Sequence, residues 1–267
     1  MKPVILAALI VAGFSSTAHA QDDSAKAGET FIEVGGGAGA VHAGSFEFIN
    51  PQGGGYIATF PVAIPGVSKV VGNSIVLDRQ RRNASSPSAE VSLGHFIGDR
   101  VYVRATYRYL GRFHLSGSAA FPIDPAIPLA VAFDQDYDLR GHAAYLGIGY
   151  QADLTGALFV DLSAEAGAAR LRSVSRQGAN VGDPLGHPAR TVTNVSAGGE
   201  LGLGVHIGRR YDVVFKGRAD LLGPAMTGIV AVDILSADGN FGINAGEQLK
   251  LHRVTSYGLA MTLRARF

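Results

Sequence analysis

The chain contains no cysteine. That excludes disulfide stapling, thiolate metal sites and thiol catalysis. It has no excess of either charge, with 23 Lys and Arg against 22 Asp and Glu, so it lacks the basic surplus that a nucleic-acid binder carries. No stretch beyond the first twenty residues approaches eighteen consecutive apolar residues, which excludes an anchoring membrane helix there. Aromatics are few, at 8 %, although they recur inside alternating segments. Glycine is plentiful instead, 36 of 267 residues, without the three-residue period of collagen.

Lys2 gives a positive start, Val4 to Phe14 is almost wholly apolar, and Ser15 to Ala20 ends in a small-x-small pattern before Gln21. This reads as a secretory signal peptide, residues 1–20, because the apolar run is too short to span a bilayer. The remainder, 21–267, is long enough for one large domain.

The last residues alternate strictly. Tyr257, Leu259, Met261, Leu263, Ala265 and Phe267 fall on one face, and Gly258, Ala260, Thr262, Arg264 and Arg266 on the other. A period of two means a strand. Two arginines on the polar face and an aromatic final residue resemble the closing strand of a Gram-negative outer-membrane β-barrel. The resemblance implies that Phe267 belongs to the signal read by the barrel-assembly machinery, and that outer-membrane lipid and lipopolysaccharide surround the wall. Across residues 29–267 the pattern is similar to the OmpA-like and OmpW-like small barrels. A peptidoglycan-binding domain is not expected after Phe267.

Eight such segments are expected: 30–42, 89–97, 101–114, 139–150, 157–170, 192–207, 211–221 and 253–267. Short turns follow the second, fourth and sixth. Long connections follow the others, at 43–88, 115–138, 171–191 and 222–252. Even strand number and alternating short and long connections are what periplasmic turns and extracellular loops produce. The expected fold is therefore all-β, an eight-stranded antiparallel transmembrane barrel in up-and-down order, with four long extracellular loops. Prolines in 59–65 and 121–128 bar central-strand pairing there. Segments 57–60, 74–79, 129–133 and 229–234 remain candidates to extend the wall as hairpins, and a pair from the first loop joining the barrel would make ten strands. The glycine run Gly35-Gly36-Gly37-Ala38-Gly39 opens no helix, as a phosphate cradle would require, and suits a crowded barrel wall instead.

Parity assigns an inward set: Glu33, Glu90, Arg104, Arg108, Arg112, Asp161, Glu165, Glu200, Asp212, Lys216, Arg218, Asp220, Arg264 and Arg266, with His206 also inward. Acids and bases balance, as a narrow lumen requires, since an unpaired charge there costs several kcal/mol. Eight strands leave room only for side chains. A plugged, non-conducting lumen follows, with Arg108 opposite Glu90; a narrow channel for ions is the alternative.

No catalytic, cofactor or metal residues are assigned. His42, His95, His114, His142, His187, His206 and His252 are scattered and make no zinc spacing. His114 and Ser116 resemble the His-x-Ser of the lipid A 3-O-deacylases. However, Gly117 stands where that family has Asn, no Glu follows nearby, the motif lies early in the chain, and parity turns His114 inward. No nucleic-acid partner is expected, and any loop ligand is unspecified. The protein extracted from outer membranes should have an intact mass beginning at Gln21; a mass retaining residues 1–20 would refute the signal assignment.

Overall fold

The computed structural model describes residues 27–49, 69–71, 74–76, 78–124, 127–177, 186–235 and 242–267. The signal segment and residues 57–60 lie outside these. Eight strands form the wall: β1 (Thr30–Ala43), β2 (Asn83–Phe96), β3 (Val101–Asp124), β4 (Ile127–Asp153), β5 (Leu158–Gln177), β6 (Arg190–Ile207), β7 (Tyr211–Met226) and β8 (Gly242–Arg266). Each pairs antiparallel with its sequence neighbour, and β8 returns to β1 from Phe31↔Arg266 to Ala43↔Val254, closing the ring. At the very base, Thr30 and Phe267 exchange backbone hydrogen bonds of 3.0 and 2.9 Å. Closure leaves no unpaired edge in the membrane-spanning part, the condition a strand protein must meet in hydrocarbon.

The ring holds eight strands, not ten. The short strands Phe46–Ile49, Ser74–Val76 and Lys69–Val71 add to β8 above the point where β1 leaves it, and Val230–Leu235 forms a ribbon with the start of β8. The expected lower ends hold to within three residues, but the upper ends run further. Much of the expected 115–138 loop is a β3–β4 hairpin, with pairing continuing to Pro122↔Ala130 and Asp124↔Ile127. Pro122 is tolerated because, among the described residues, β3 pairs there with β4 alone, which leaves its other side an edge.

Outward residues are apolar over the middle of the wall. Leu146, Val195 and Leu259 are 73 %, 88 % and 72 % exposed, an arrangement water would penalise and lipid favours. Tyr150, Tyr211 and Phe267 mark the lower border, and Tyr107, Tyr109 and Tyr257 the upper one, like the aromatic girdles of transmembrane barrels. With charges inside and hydrocarbon-compatible side chains outside, this is a transmembrane β-barrel of the outer membrane.

Glycines shape the base of the interior. Phe31, Tyr102 and Phe159 each lie across a directly opposed glycine, Gly94, Gly149 and Gly204, whose place no larger residue could take without striking the ring. Midway up, the inward parity changes. Pro87 of β2 has no N–H for the ladder, and its carbonyl sits beside Gly111 of β3, which adopts φ +108° at a register shift after Tyr109. The Arg112 N–H donates to Ser86 Oγ at 2.9 Å instead. Beyond this bulge Phe113 and Leu115 turn inward and Arg112 turns out.

A second shift lies at Gly223 of β7, φ +82°. Backbone pairing of β6 with β7 ends at Ala197↔Leu221, and above it the Asn194 amide donates to the Leu222 and Pro224 carbonyls at 2.9 and 2.7 Å. Thus the interior above the charged zone is a packed apolar layer, including Val41, Phe46, Leu110, Phe113, Tyr137, Leu139, Leu171, Leu222, Leu251 and Val254.

Gly111→Val should cost about 1–3 kcal/mol, because a β-branched residue is strained at that φ and would meet Ser86 and Pro87. Urea unfolding of the refolded barrel, followed by heat-modifiable gel migration, measures this. An unchanged midpoint would mean that the bulge is not fixed by Gly111.

Candidate functional site

The charged lumen is built from one inward residue at every second position of β1, β2, β3 and β5 to β8. Thirteen of the fourteen residues placed there by sequence parity are buried: Glu33, Glu90, Arg104, Arg108, Asp161, Glu165, Glu200, Asp212, Lys216, Arg218, Asp220, Arg264 and Arg266. The exception is Arg112. Its side chain is 54 % exposed on the outer face, because the Gly111 bulge inserts one residue and reverses parity.

Arg108 and Glu90 are directly opposed on β3 and β2, and Arg108 Nε donates to Glu90 Oε2 at 3.2 Å. The same guanidinium donates to Asp220 Oδ1 at 2.9 Å and to Glu200. Glu165 lies 2.8 Å away but off the N–H axis, so it contributes charge without a directed bond. The Tyr145 ring covers the guanidinium at 5.1 Å. Arg104 reaches Ser163, Glu165 and Glu200, and Lys216 reaches Glu33, with Glu200 at 3.3 Å. Arg218 donates to Glu90 at 2.7 Å.

Lower down, Arg264 is fully buried. It donates to Glu33 Oε2 and Gln151 Oε1, both at 2.9 Å, and to Asp161, which also accepts from the Tyr102 hydroxyl. Its guanidinium lies 4.5 Å above the Phe31 ring and 5.6 Å from that of Tyr102, so the aromatic floor serves as a cation-π partner. Arg266 and His206 meet Asp212 at 3.2 and 2.7 Å, near the lower mouth. His206 is inward as expected, stacked on Phe159. Sequence parity did not single out Gln151 and Tyr145, and it left Tyr102 among polar companions without a role. The signal available was that each falls on the inward parity of its strand.

The chemistry of this array is charge neutralisation. Each cation touches carboxylates from other strands, so the bridges tie the wall across its diameter.

Outside the lumen, His114 is on the outer face, not the inner one, for the same reason as Arg112. Its Nδ1 lies 3.0 Å from Asp138 Oδ1 and its Nε2 3.5 Å from Asp136. Partial burial pushes the Asp138 carboxyl up, but hydrogen bonds and charge from Arg112 and His114 outweigh it and hold the carboxyl below its usual range. Ser116 shares the outward parity of His114. Four other described histidines have local partners of their own, His42 with Asn83, His95 with Thr30, His142 with Tyr107 and His252 with Glu47, and His187 is buried, its carbonyl accepting from the Ser175 N–H at 3.3 Å. Among the described residues, no group of three or more His, Asp or Glu side chains converges as a metal site.

No protein-family model and no curated protein matches the sequence. Solved structures with a similar barrel include OprG of Pseudomonas aeruginosa, at 12 % identity and TM-score 0.48, covering 92 % of this chain and 99 % of that one. Ail, the attachment invasion locus protein of Yersinia pestis, is 11 % identical at TM-score 0.40, covering 90 % and 99 %. Neisserial surface protein A is 13 % identical at TM-score 0.38, with the same coverages. At these identities the likeness is one of architecture, and the membrane assignment above stands on the wall's own geometry.

Arg108→Leu leaves four carboxylates facing an uncharged side chain. The barrel should lose on the order of 3–5 kcal/mol in denaturant unfolding, since removing one partner of a buried pair strands the other. Adding Asp220→Asn to Arg108→Leu should recover part of that loss, since Arg108 is the one ion-pair partner of Asp220 among the described residues, whereas Glu90, Glu165 and Glu200 keep other cations. A single variant as stable as wild type would show that the network is not load-sharing.

Proposed function

We propose that this chain is a non-catalytic, surface-exposed outer-membrane barrel of the OmpA-like or OmpW-like kind, with a lumen closed to ions. Export would use residues 1–20, and insertion would use the barrel-assembly machinery acting on the strand that ends at Phe267. The observation that carries the closed-lumen reading is the buried ion-pair array running from Asp212 and Arg266 at the base to Asp220 and Arg108 at mid-height, roofed by the apolar layer from Leu110 to Val254. Ion passage needs a continuous polar path wide enough for partly hydrated ions. Here guanidinium and carboxylate groups occupy the cross-section, and the Tyr137, Leu139 and Leu171 side chains, each 1 % exposed, pack above them. The β3–β4 hairpin, which continues well past the upper aromatic border, supports a role for the parts that face the outside.

Planar-bilayer recording tests this. Wild-type protein should give no stable single-channel steps, and Arg108→Leu should gain none, because the apolar roof is untouched. Reproducible steps from the wild type would replace the closed reading with a narrow channel.

A further inference from the structure

Strand register places three arginines side by side on the outside of the wall. Arg112 of β3 is directly opposed to Arg140 of β4, and Arg140 is directly opposed to Arg172 of β5. Immediately below, Tyr109, His142 and Arg170 form the next outward row. All of these except Tyr109 and His142 are permanently charged, and all face outward. Directly opposed residues bring Cβ atoms within about 4.5–5.5 Å, and like charges so placed destabilise a sheet. Asp138 answers Arg112 at 2.7 Å. Among the described residues no carboxylate lies within ion-pair distance of Arg140, Arg170 or Arg172. This contrasts with the lumen, where every cation has a carboxylate partner.

The height of the row identifies what meets it. Arg140 lies ten residues up β4 from the lower-girdle Tyr150, about 25 Å at 3.3 Å per residue and a tilt near 40°, which is the height of the apolar band of such barrels. The row therefore sits where hydrocarbon gives way to head groups. Directly beneath it the wall is hollowed: Ala105, Ala144, Ala166 and Ala168, flanked by Tyr107 and Leu146, line an almost wholly apolar groove of about 750 Å³. Thr193 and Thr191 of β6, opposed to Arg170 and Arg172 and exposed, place hydroxyl groups beside the guanidinium groups.

We propose that this face binds a phosphorylated lipid of the outer leaflet. A head-group phosphate would be held by Arg140, Arg170 and Arg172, and an acyl chain would lie in the alanine groove. Guanidinium groups match phosphate oxygens with paired N–H donors, and the phosphate removes the repulsion that the register builds in. A soluble anion would satisfy the arginines but leave the groove without an occupant, so the lipid is the better fit. The inference needs the barrel to lie in a membrane and does not depend on whether the lumen is closed.

The test uses the full barrel in detergent, with three probes: lipid A carrying its phosphates, the same lipid enzymatically dephosphorylated, and inorganic phosphate. Phosphorylated lipid A should raise the Tm of the wild type by several degrees and remain bound in native mass spectrometry. The other two probes should do neither. Arg140→Gln/Arg170→Gln/Arg172→Gln should melt no lower than wild type without lipid, since repulsion is relieved, and should lose the lipid-induced shift. Ala168→Trp, which fills the groove and keeps the arginines, should weaken lipid retention at least several-fold. If the triple variant fails to fold, single Arg140→Gln and Arg172→Gln variants read the same shift. Equal stabilisation by dephosphorylated lipid, or an undiminished shift in the arginine variants, would overturn the proposal. Equal stabilisation by inorganic phosphate would assign the row to a soluble anion instead.

Discussion

Arg108 is enclosed by carboxylates from four strands, Glu90 of β2, Glu165 of β5, Glu200 of β6 and Asp220 of β7, and the rest of the interior depends on that enclosure. A guanidinium removed from water loses several kcal/mol of solvation, which only close and well-aligned counter-charges return. Once they converge, they constrain everything around them. A slip of one residue in any of these strands would turn its acid toward lipid and leave the cation unmatched. The network therefore specifies register in a wall whose small side chains specify it weakly. Gly35, Gly37 and Gly167 meet neighbouring backbone so closely that they contribute little side-chain packing of their own.

The barrel changes its internal chemistry with height, and in β3 and β7 backbone irregularities mark where the change falls. Below the Gly111 and Gly223 bulges, inward positions carry charge over an aromatic floor. Above them, the same strands turn apolar residues inward. A wall rising past the membrane meets water on its outside, so its polar residues belong outside and its apolar ones inside, as in a soluble barrel. Within the membrane the preference is reversed. In β3 and β7 an irregularity makes that switch, because side-chain direction has a period of two, whereas β5 keeps one inward parity and changes residue type along it, from Asp161 and Glu165 to Leu171.

Much of this was legible in the sequence, and the residues that were misread show the limit. The terminal alternation from Tyr257 to Phe267 and the partnership of Glu90 with Arg108 follow from a period of two within a fixed register, and the short turns after the second and sixth strands follow from where that alternation breaks. Arg112 and His114 failed that reading because parity was carried through Leu110-Gly111 as if the strand were regular. The local hint was Pro87 on the adjoining strand, which cannot complete the ladder there, but linking it to Gly111 requires knowing the register first. The hairpin extensions allowed at 129–133 and 229–234 are present, but the strands leading into them run longer than expected. Leu115 to Gly117 continue the alternation, with Leu115 and Gly117 inward, yet the expected boundary was placed at the membrane's height and not where pairing stops. The arginine row is a property of three strands together, so no single segment displays it.

Inside and outside the wall, arginine meets the same electrostatic problem under different supplies of anion. In the lumen no mobile partner can be counted on, so the chain provides its own carboxylates, and Arg264 additionally uses the rings of Phe31 and Tyr102. At the upper border the membrane offers phosphate at high local density, and a carboxylate beside Arg140 or Arg172 would compete with it. Asp138 is placed one row higher, where it engages Arg112 and His114 and leaves the two further arginines to the lipid side. The distribution of acids over the wall is thus informative in both directions: their presence marks positions the chain neutralises by itself, and their absence beside a directly opposed arginine pair marks a position where neutralisation comes from the surroundings.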